Sequence, residues 1–86
     1  MTELGDIVRF NGQYTYCGTE RHGMFGRVDC IFDGVIRDER LAVVTEYLGT
    51  YSNGMHAYGI GVPLPLDELE PAEIPDRVPP KFRTWS

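Results

Sequence analysis

The sequence predicts a small all-β domain. Its 86 residues suffice for a single hydrophobic core. Ten glycines separate short runs of β-branched and aromatic residues, a pattern typical of short strands joined by tight turns. The clearest turn is Asn53-Gly54, because both residues readily adopt positive φ angles. Together these observations favour a small barrel.

The first half of the chain predicts two strands separated by a long connection. Residues 5–10 predict the first strand, with Val8 and Phe10 directed toward the core. Residues 11–24 contain three glycines and are expected to form a partly ordered loop or an irregular hairpin. Residues 25–32 predict the second strand, whose apolar face would comprise Val28, Cys30 and Phe32.

The second half predicts a hairpin of two longer strands. Residues 41–48 carry apolar side chains on both faces, as expected of a central strand buried on both sides near its start. Residues 55–62 predict the returning strand, whose alternating glycines would leave one face with few side chains. That face would be either packed against another backbone or open to a partner. The following prolines, Pro63 and Pro65, are expected to stop this strand.

A short turn and a tail complete the predicted architecture. Residues 65–71 suit a single 3-10 turn with its leucines directed inward. Four prolines then interrupt residues 71–86, where no strand or helix period survives. The prediction is therefore a β-barrel domain at 1–71 and an extended Pro-rich tail at 72–86.

Three segments carry a resemblance to a known superfold. Residues 5–10 read Gly-Asp-Ile-Val-Arg-Phe, residues 23–28 read Gly-Met-Phe-Gly-Arg-Val, and residues 62–71 read Val-Pro-Leu-Pro-Leu-Asp-Glu-Leu-Glu-Pro. In this order they resemble SH3-like barrels, especially the branch shared by KOW-type domains and the small peripheral subunit of photosystem I. The resemblance covers residues 4–71. It implies a five-stranded barrel that acts through its loops and exposed faces, without a catalytic group.

Charge and apolar patterning exclude several classes of partner. Eight basic and thirteen acidic residues give a net charge of −5, whereas proteins that bind DNA or RNA usually show a basic face. KOW domains that bind RNA are likewise usually basic. The longest apolar run is far shorter than the ~20 residues that span a bilayer. Two cysteines and a polar, acidic N-terminus predict a reduced cytoplasmic protein. The acidic net charge and the short apolar runs predict that it binds neither nucleic acid nor membrane.

Residues that could carry chemistry are scattered along the chain. Cys17, His22, Cys30 and His56 form a nominal zinc set, but they lack the close ligand pairs of structural zinc sites. Cys30 is instead expected to be a small core residue, and Cys17 a loop or edge residue. A nucleophile with an oriented base is not recognisable either. We therefore expect no metal, no cofactor and no catalytic residue, and hence a protein that is not an enzyme.

Aromatic side chains are the strongest sign of a binding surface. Five tyrosines exceed what so small a core can bury with satisfied hydroxyl groups. Tyrosine and tryptophan supply large contact areas at protein interfaces. The predicted partner-binding residues lie on the first loop, on the Asn-Gly hairpin and in the tail beside Lys81 and Arg83: Tyr14, Tyr16, Tyr51, His56, Phe82 and Trp85.

The leading hypothesis is a protein-interaction module, either an accessory subunit of a larger complex or a small inhibitor that docks on another protein. A homodimer is compatible with this hypothesis. The alternative is an oligomeric binder of a small anionic ligand such as a nucleotide, with Arg9, Arg21 and Arg27 as anion contacts. A third hypothesis is an acidic mimic of nucleic acid, for which a net charge of −5 is modest.

Overall fold

The computed structural model describes residues 2–34 and 39–74. Strands dominate these ranges, and the all-β prediction is confirmed. A 3-10 turn at Leu66–Glu68 separates the last two strands, in agreement with the turn predicted from the sequence. The strands, in chain order, are β1 (Ile7–Phe10), β2 (Thr15–Tyr16), β3 (Thr19–Glu20), β4 (Phe25–Asp33), β5 (Arg40–Thr50), β6 (His56–Pro65) and β7 (Leu69–Pro71).

Five of the strands form one antiparallel sheet in the order β6-β5-β4-β1-β7. The predicted five-stranded sheet is therefore present. Within the described ranges β6 and β7 are the edge strands and do not pair with each other, so closure into a barrel stays a prediction. The short strands β2 and β3 pair separately and form an irregular hairpin within the 11–24 connection.

The core lies on one face of the sheet. Val8 and Phe10 of β1 are fully buried, as predicted from their alternation with Ile7 and Arg9. In β5 the same period of two directs Ala42 and Val44 inward. The buried cluster comprises Val8, Phe10, Met24, Val28, Ala42, Val44, Val62, Leu64 and Leu69.

The prediction that Cys30 is a core residue was wrong. The pairing of β4 with β5 shifts between Val28 and Cys30, which marks a β-bulge at Asp29. One extra residue reverses the alternation of every side chain that follows. Val28 is therefore buried and Cys30 exposed, while Ile31 rather than Phe32 packs against the core cluster.

The two prolines expected to stop the returning strand lie within it. The strand β6 continues through Pro63 and Pro65, which pair in register with Val43 and Leu41. Proline is compatible with an edge strand when the missing N–H group would have faced away from the sheet. Because β6 is an edge strand, its prolines leave the ladder to β5 intact.

The predicted turn at Asn53-Gly54 is confirmed, although only Gly54 of the two residues has a positive φ. The backbone N–H of Tyr51 donates to the Met55 carbonyl at 2.8 Å, and Gly54 has a φ of 88°. The described part of the chain contains no helix long and apolar enough to cross a membrane. The predicted site residues Phe82 and Trp85, with most of the predicted tail, lie outside the described residues.

Candidate binding groove

A buried arginine holds the first loop against the sheet. Arg21 follows β3 and is only 4% exposed, although the sequence around it is polar. Its guanidinium donates to the Glu46 carboxylate of β5 at 3.1 Å and to the Tyr16 carbonyl at 2.9 Å. The β2–β3 hairpin is therefore attached to the middle of β5 by a charge-assisted contact.

A carboxylate at the base of the same hairpin positions Tyr14. The Glu20 side chain accepts hydrogen bonds from the backbone N–H groups of Tyr14 and His22, each at 3.0 Å. These donors, that of Tyr14 first, lower the pKa of Glu20 below its usual 4.5. The backbone on both sides of the hairpin is therefore tied to one side chain.

The ring of Tyr14 borders a groove on the outer face of the sheet. Since Ala42 and Val44 point inward, Leu41 and Val43 point outward, opposite Pro65 and Pro63 of β6. The groove has a volume of about 270 Å³ and is lined by Tyr14, Glu39, Leu41, Pro63 and Pro65. It is mainly apolar, with one carboxylate and one phenol hydroxyl at its border.

Tyr14 and Tyr16 have different environments. The Tyr14 side chain is exposed, whereas the half-buried Tyr16 packs against the core cluster. Their ring centroids lie 6.2 Å apart with the rings tilted by 30°. Within the predicted pair, Tyr14 is therefore the exposed member and Tyr16 the member that packs against the core.

The other predicted aromatic residues lie far from this groove. Thr50 pairs with His56 at one end of the β5–β6 ladder, and Leu41 pairs with Pro65 at the other. Nine residues of strand separate these ends by roughly 30 Å. The structure therefore does not bring Tyr51 and His56, at the hairpin, together with Tyr14.

The hairpin end carries an aromatic cluster of its own. The His56 ring packs edge-on against the rings of Tyr47 and Tyr58, and its Nδ1 lies 3.1 Å from the Thr50 hydroxyl. The guanidinium of Arg27 lies over the Tyr58 ring at 4.7 Å from its centroid. His56 remains exposed at the border of this cluster.

The three arginines proposed as anion contacts are already paired with carboxylates. Arg9 bonds to Glu70 at 3.0 Å, and Arg27 bonds to Asp29 at 2.9 Å. A hydroxyl bond from Thr45, followed by the bond from Arg27, lowers the pKa of Asp29. The third, Arg21, is the buried partner of Glu46 described above. An anion at any of these positions would have to displace a carboxylate.

The described side chains form no metal-binding group of three or more His, Cys, Asp or Glu residues. Both cysteines of the chain are free and exposed. Cys17 lies at the tip of the β2–β3 hairpin, as expected of a loop residue, and has a φ of 52°. Cys30 lies on the outer face of β4, where it pairs in register with Val43.

No protein-family model, curated protein or solved structure matches this chain. What the groove does must therefore be deduced from the side chains that line it. Sequence reasoning identified Tyr14 but missed Leu41, Pro63 and Pro65. The signal for Leu41 was the presence of apolar residues on both faces of residues 41–48, which we interpreted as burial on both sides rather than as a groove on one. Pro63 and Pro65 were interpreted as the end of the strand.

Proposed function

We propose that this protein is a non-enzymatic protein-interaction module built on an SH3-like barrel. The strand order supports the architecture, because a 3-10 turn leads from β6 into β7, which returns to pair with β1. Such a module docks on a partner protein either as an accessory subunit or as a small inhibitor.

The observation that carries the proposal is the groove beside Tyr14. An exposed tyrosine, 40% accessible, borders the outward-facing pair of Leu41 and Pro65. Ordered aromatic and aliphatic side chains around a concave surface provide contact area with little loss of conformational entropy on binding. The bonds of Glu20 and Arg21 hold the loop in place, so binding would not have to order it.

The groove suits an extended segment of the partner. At about 270 Å³ it holds one or two apolar side chains, and it is smaller than a typical pocket for a small organic ligand. The phenol hydroxyl of Tyr14 adds a hydrogen-bonding group at the border. The pairing of Arg9, Arg21 and Arg27 with carboxylates within the protein argues against the anion-binding alternative.

The test is affinity purification from a lysate of the native host with the full chain as bait. Tyr14→Ala should reduce capture of a stoichiometric partner by about tenfold or more, the loss expected at an interface hot spot. Tyr14→Phe should retain most of the capture, since the apolar contact survives. Met55→Ala is the matched control, because Met55 is 64% exposed at the opposite end of the β5–β6 ladder.

Melting temperatures distinguish loss of binding from loss of structure. Tyr14 is exposed, so Tyr14→Ala should leave the melting temperature nearly unchanged. If Tyr14→Ala and Met55→Ala captured the partner as well as the native chain does, the groove would not be the binding site. A partner lost with Met55→Ala alone would place the interface at the hairpin.

A further inference from the structure

The described surface is acidic because carboxylates outnumber arginines, and each described arginine lies beside one of these carboxylates. Residues 2–34 and 39–74 contain four arginines and eleven carboxylate side chains, a difference of −7. Each arginine lies between 2.9 and 3.6 Å from a carboxylate: Arg9 from Glu70, Arg21 from Glu46, Arg27 from Asp29 and Arg40 from Asp33. Seven carboxylates therefore form no ion pair with a described residue.

Two of the seven accept hydrogen bonds from the backbone. Asp6 accepts from the N–H of Glu3, and Glu20 accepts from the two N–H groups named above. Of the remaining five, three line a single cleft: Glu3, Glu39 and Asp67. Three of the five carboxylates that have neither an ion pair nor a hydrogen bond with a described residue therefore line the same cleft.

The cleft also has an apolar lining. It has a volume of about 910 Å³ and lies where the segment before β1, the end of β4, the start of β5 and the 3-10 turn meet. Leu4, Ile31 and Leu66 line it, and Leu4 is 64% exposed. Ile31 lies on this side of the sheet because the bulge at Asp29 reverses the alternation of β4.

We propose that this cleft binds a cationic segment of another protein, in which lysine or arginine residues flank aliphatic or aromatic side chains. Apolar side chains of the segment would cover Leu4, Ile31 and Leu66. Its cationic groups would meet Glu3, Glu39 and Asp67, none of which forms an ion pair with a described arginine. The lining also contains one arginine, Arg40, which forms an exposed pair with Asp33 at 3.6 Å, so the three carboxylates of the cleft outnumber its one cation.

The charges favour this occupant over others. A second copy of the described surface, or an anionic ligand, would bring like charge against the three carboxylates. The cleft is also separate from the groove beside Tyr14, since only Glu39 lines both. Cationic-segment binding therefore stands independently of the proposed function, and variants at Glu3 and Asp67 address the cleft alone.

The experiment measures fluorescence anisotropy of a short rhodamine-labelled peptide of alternating lysine and leucine, titrated with the full chain. Glu3→Gln with Asp67→Asn should weaken binding by about tenfold, because two favourable charge contacts are lost. The control, Glu68→Gln with Glu73→Gln, removes the same net charge from exposed positions outside the cleft. It should change the affinity by less than about twofold.

Two further variants test the apolar lining and the place of binding. Leu4→Ser should weaken binding of the lysine–leucine peptide but not of a lysine–serine peptide of equal length. Tyr14→Ala should leave both affinities unchanged. Support for the proposal requires all of these results together.

The other outcomes overturn it. Equal weakening by the Glu3/Asp67 and Glu68/Glu73 variants would show diffuse attraction to an acidic surface rather than a site. Loss of binding in Tyr14→Ala would place the peptide in the groove. Residues 81–85 of this chain share the proposed chemistry, as Lys-Phe-Arg-Thr-Trp. If Phe82→Ser with Trp85→Ser strengthened peptide binding about tenfold, the occupant would be the chain's own terminus.

Discussion

Replacing Glu46 by Gln removes the charge that faces the buried guanidinium of Arg21. The Arg21 side chain is 5% exposed and that of Glu46 is 16% exposed, so water cannot fully replace the lost carboxylate. Removing one partner of a buried ion pair costs about 3–5 kcal/mol, because the other charge remains desolvated. Partial access of solvent to Glu46 reduces the expected cost to about 2–4 kcal/mol.

This loss is large compared with the stability expected of the whole domain. At about 0.05–0.15 kcal/mol per residue, a chain of 86 residues has a free energy of unfolding of about 4–13 kcal/mol. With a urea dependence of about 1 kcal/mol per molar, the midpoint of unfolding should fall by about 2–4 M. Equilibrium urea denaturation followed by circular dichroism measures this shift.

The exposed pair of Arg9 and Glu70 provides the control. Their side chains are 37% and 47% exposed, so Glu70→Gln should cost at most about 1 kcal/mol. Arg21→Met combined with Glu46→Leu should cost less than Glu46→Gln alone, since no buried charge remains unpaired. The reasoning would be refuted if Glu46→Gln shifted the midpoint no more than Glu70→Gln.

Three further predictions concern single residues. Gly26→Ala should cost about 1–3 kcal/mol, because its Cβ would clash with the Thr45 carbonyl oxygen. Urea denaturation measures this cost, and an unchanged midpoint would contradict the close approach. A carboxyl group whose pKa is lower in the folded state than in the unfolded state stabilises the fold at a pH above its unfolded-state pKa. This contribution is lost as the pH falls through the folded-state pKa. The melting temperature of the native chain should therefore fall more steeply below about pH 4.5 than that of Glu20→Gln, whereas parallel curves would exclude a role for Glu20. Cys17→Asn should raise the melting temperature by about 2–4 °C. Cys17 and Gly18 have φ angles of 52° and 77°, and a turn with two positive φ angles favours Asn at its first central residue, here Cys17. A lower melting temperature would contradict this.

The structure agrees with the sequence prediction where neighbouring residues decide the outcome. Alternation predicted the burial of Val8 and Phe10, and the Asn-Gly pair predicted the hairpin turn. The prediction failed at Cys30, because a bulge changes the face of every later residue and leaves no mark in the local composition. It failed at Pro63 because only the order of strands shows that β6 lies at an edge, where proline is tolerated.

The candidate site follows the same division. The sequence identified Tyr14, Tyr16, Tyr51 and His56 as surface aromatic residues, but it could not separate them into two places. Their separation depends on which end of the β5–β6 ladder each loop adjoins. Likewise, Arg21 appears in the sequence as part of a polar loop, and only its position opposite Glu46 makes it a buried structural residue.

The sequence by itself determined the all-β class, the acidic character and the main turns of this protein. Each of these depends on the conformational preferences and charges of neighbouring residues, which act over a few positions along the chain. Only the tertiary structure decided which carboxylates remain without an arginine, and where Leu41 and Pro65 meet the Tyr14 loop. These contacts join residues far apart in sequence, so they depend on the order and register of the strands.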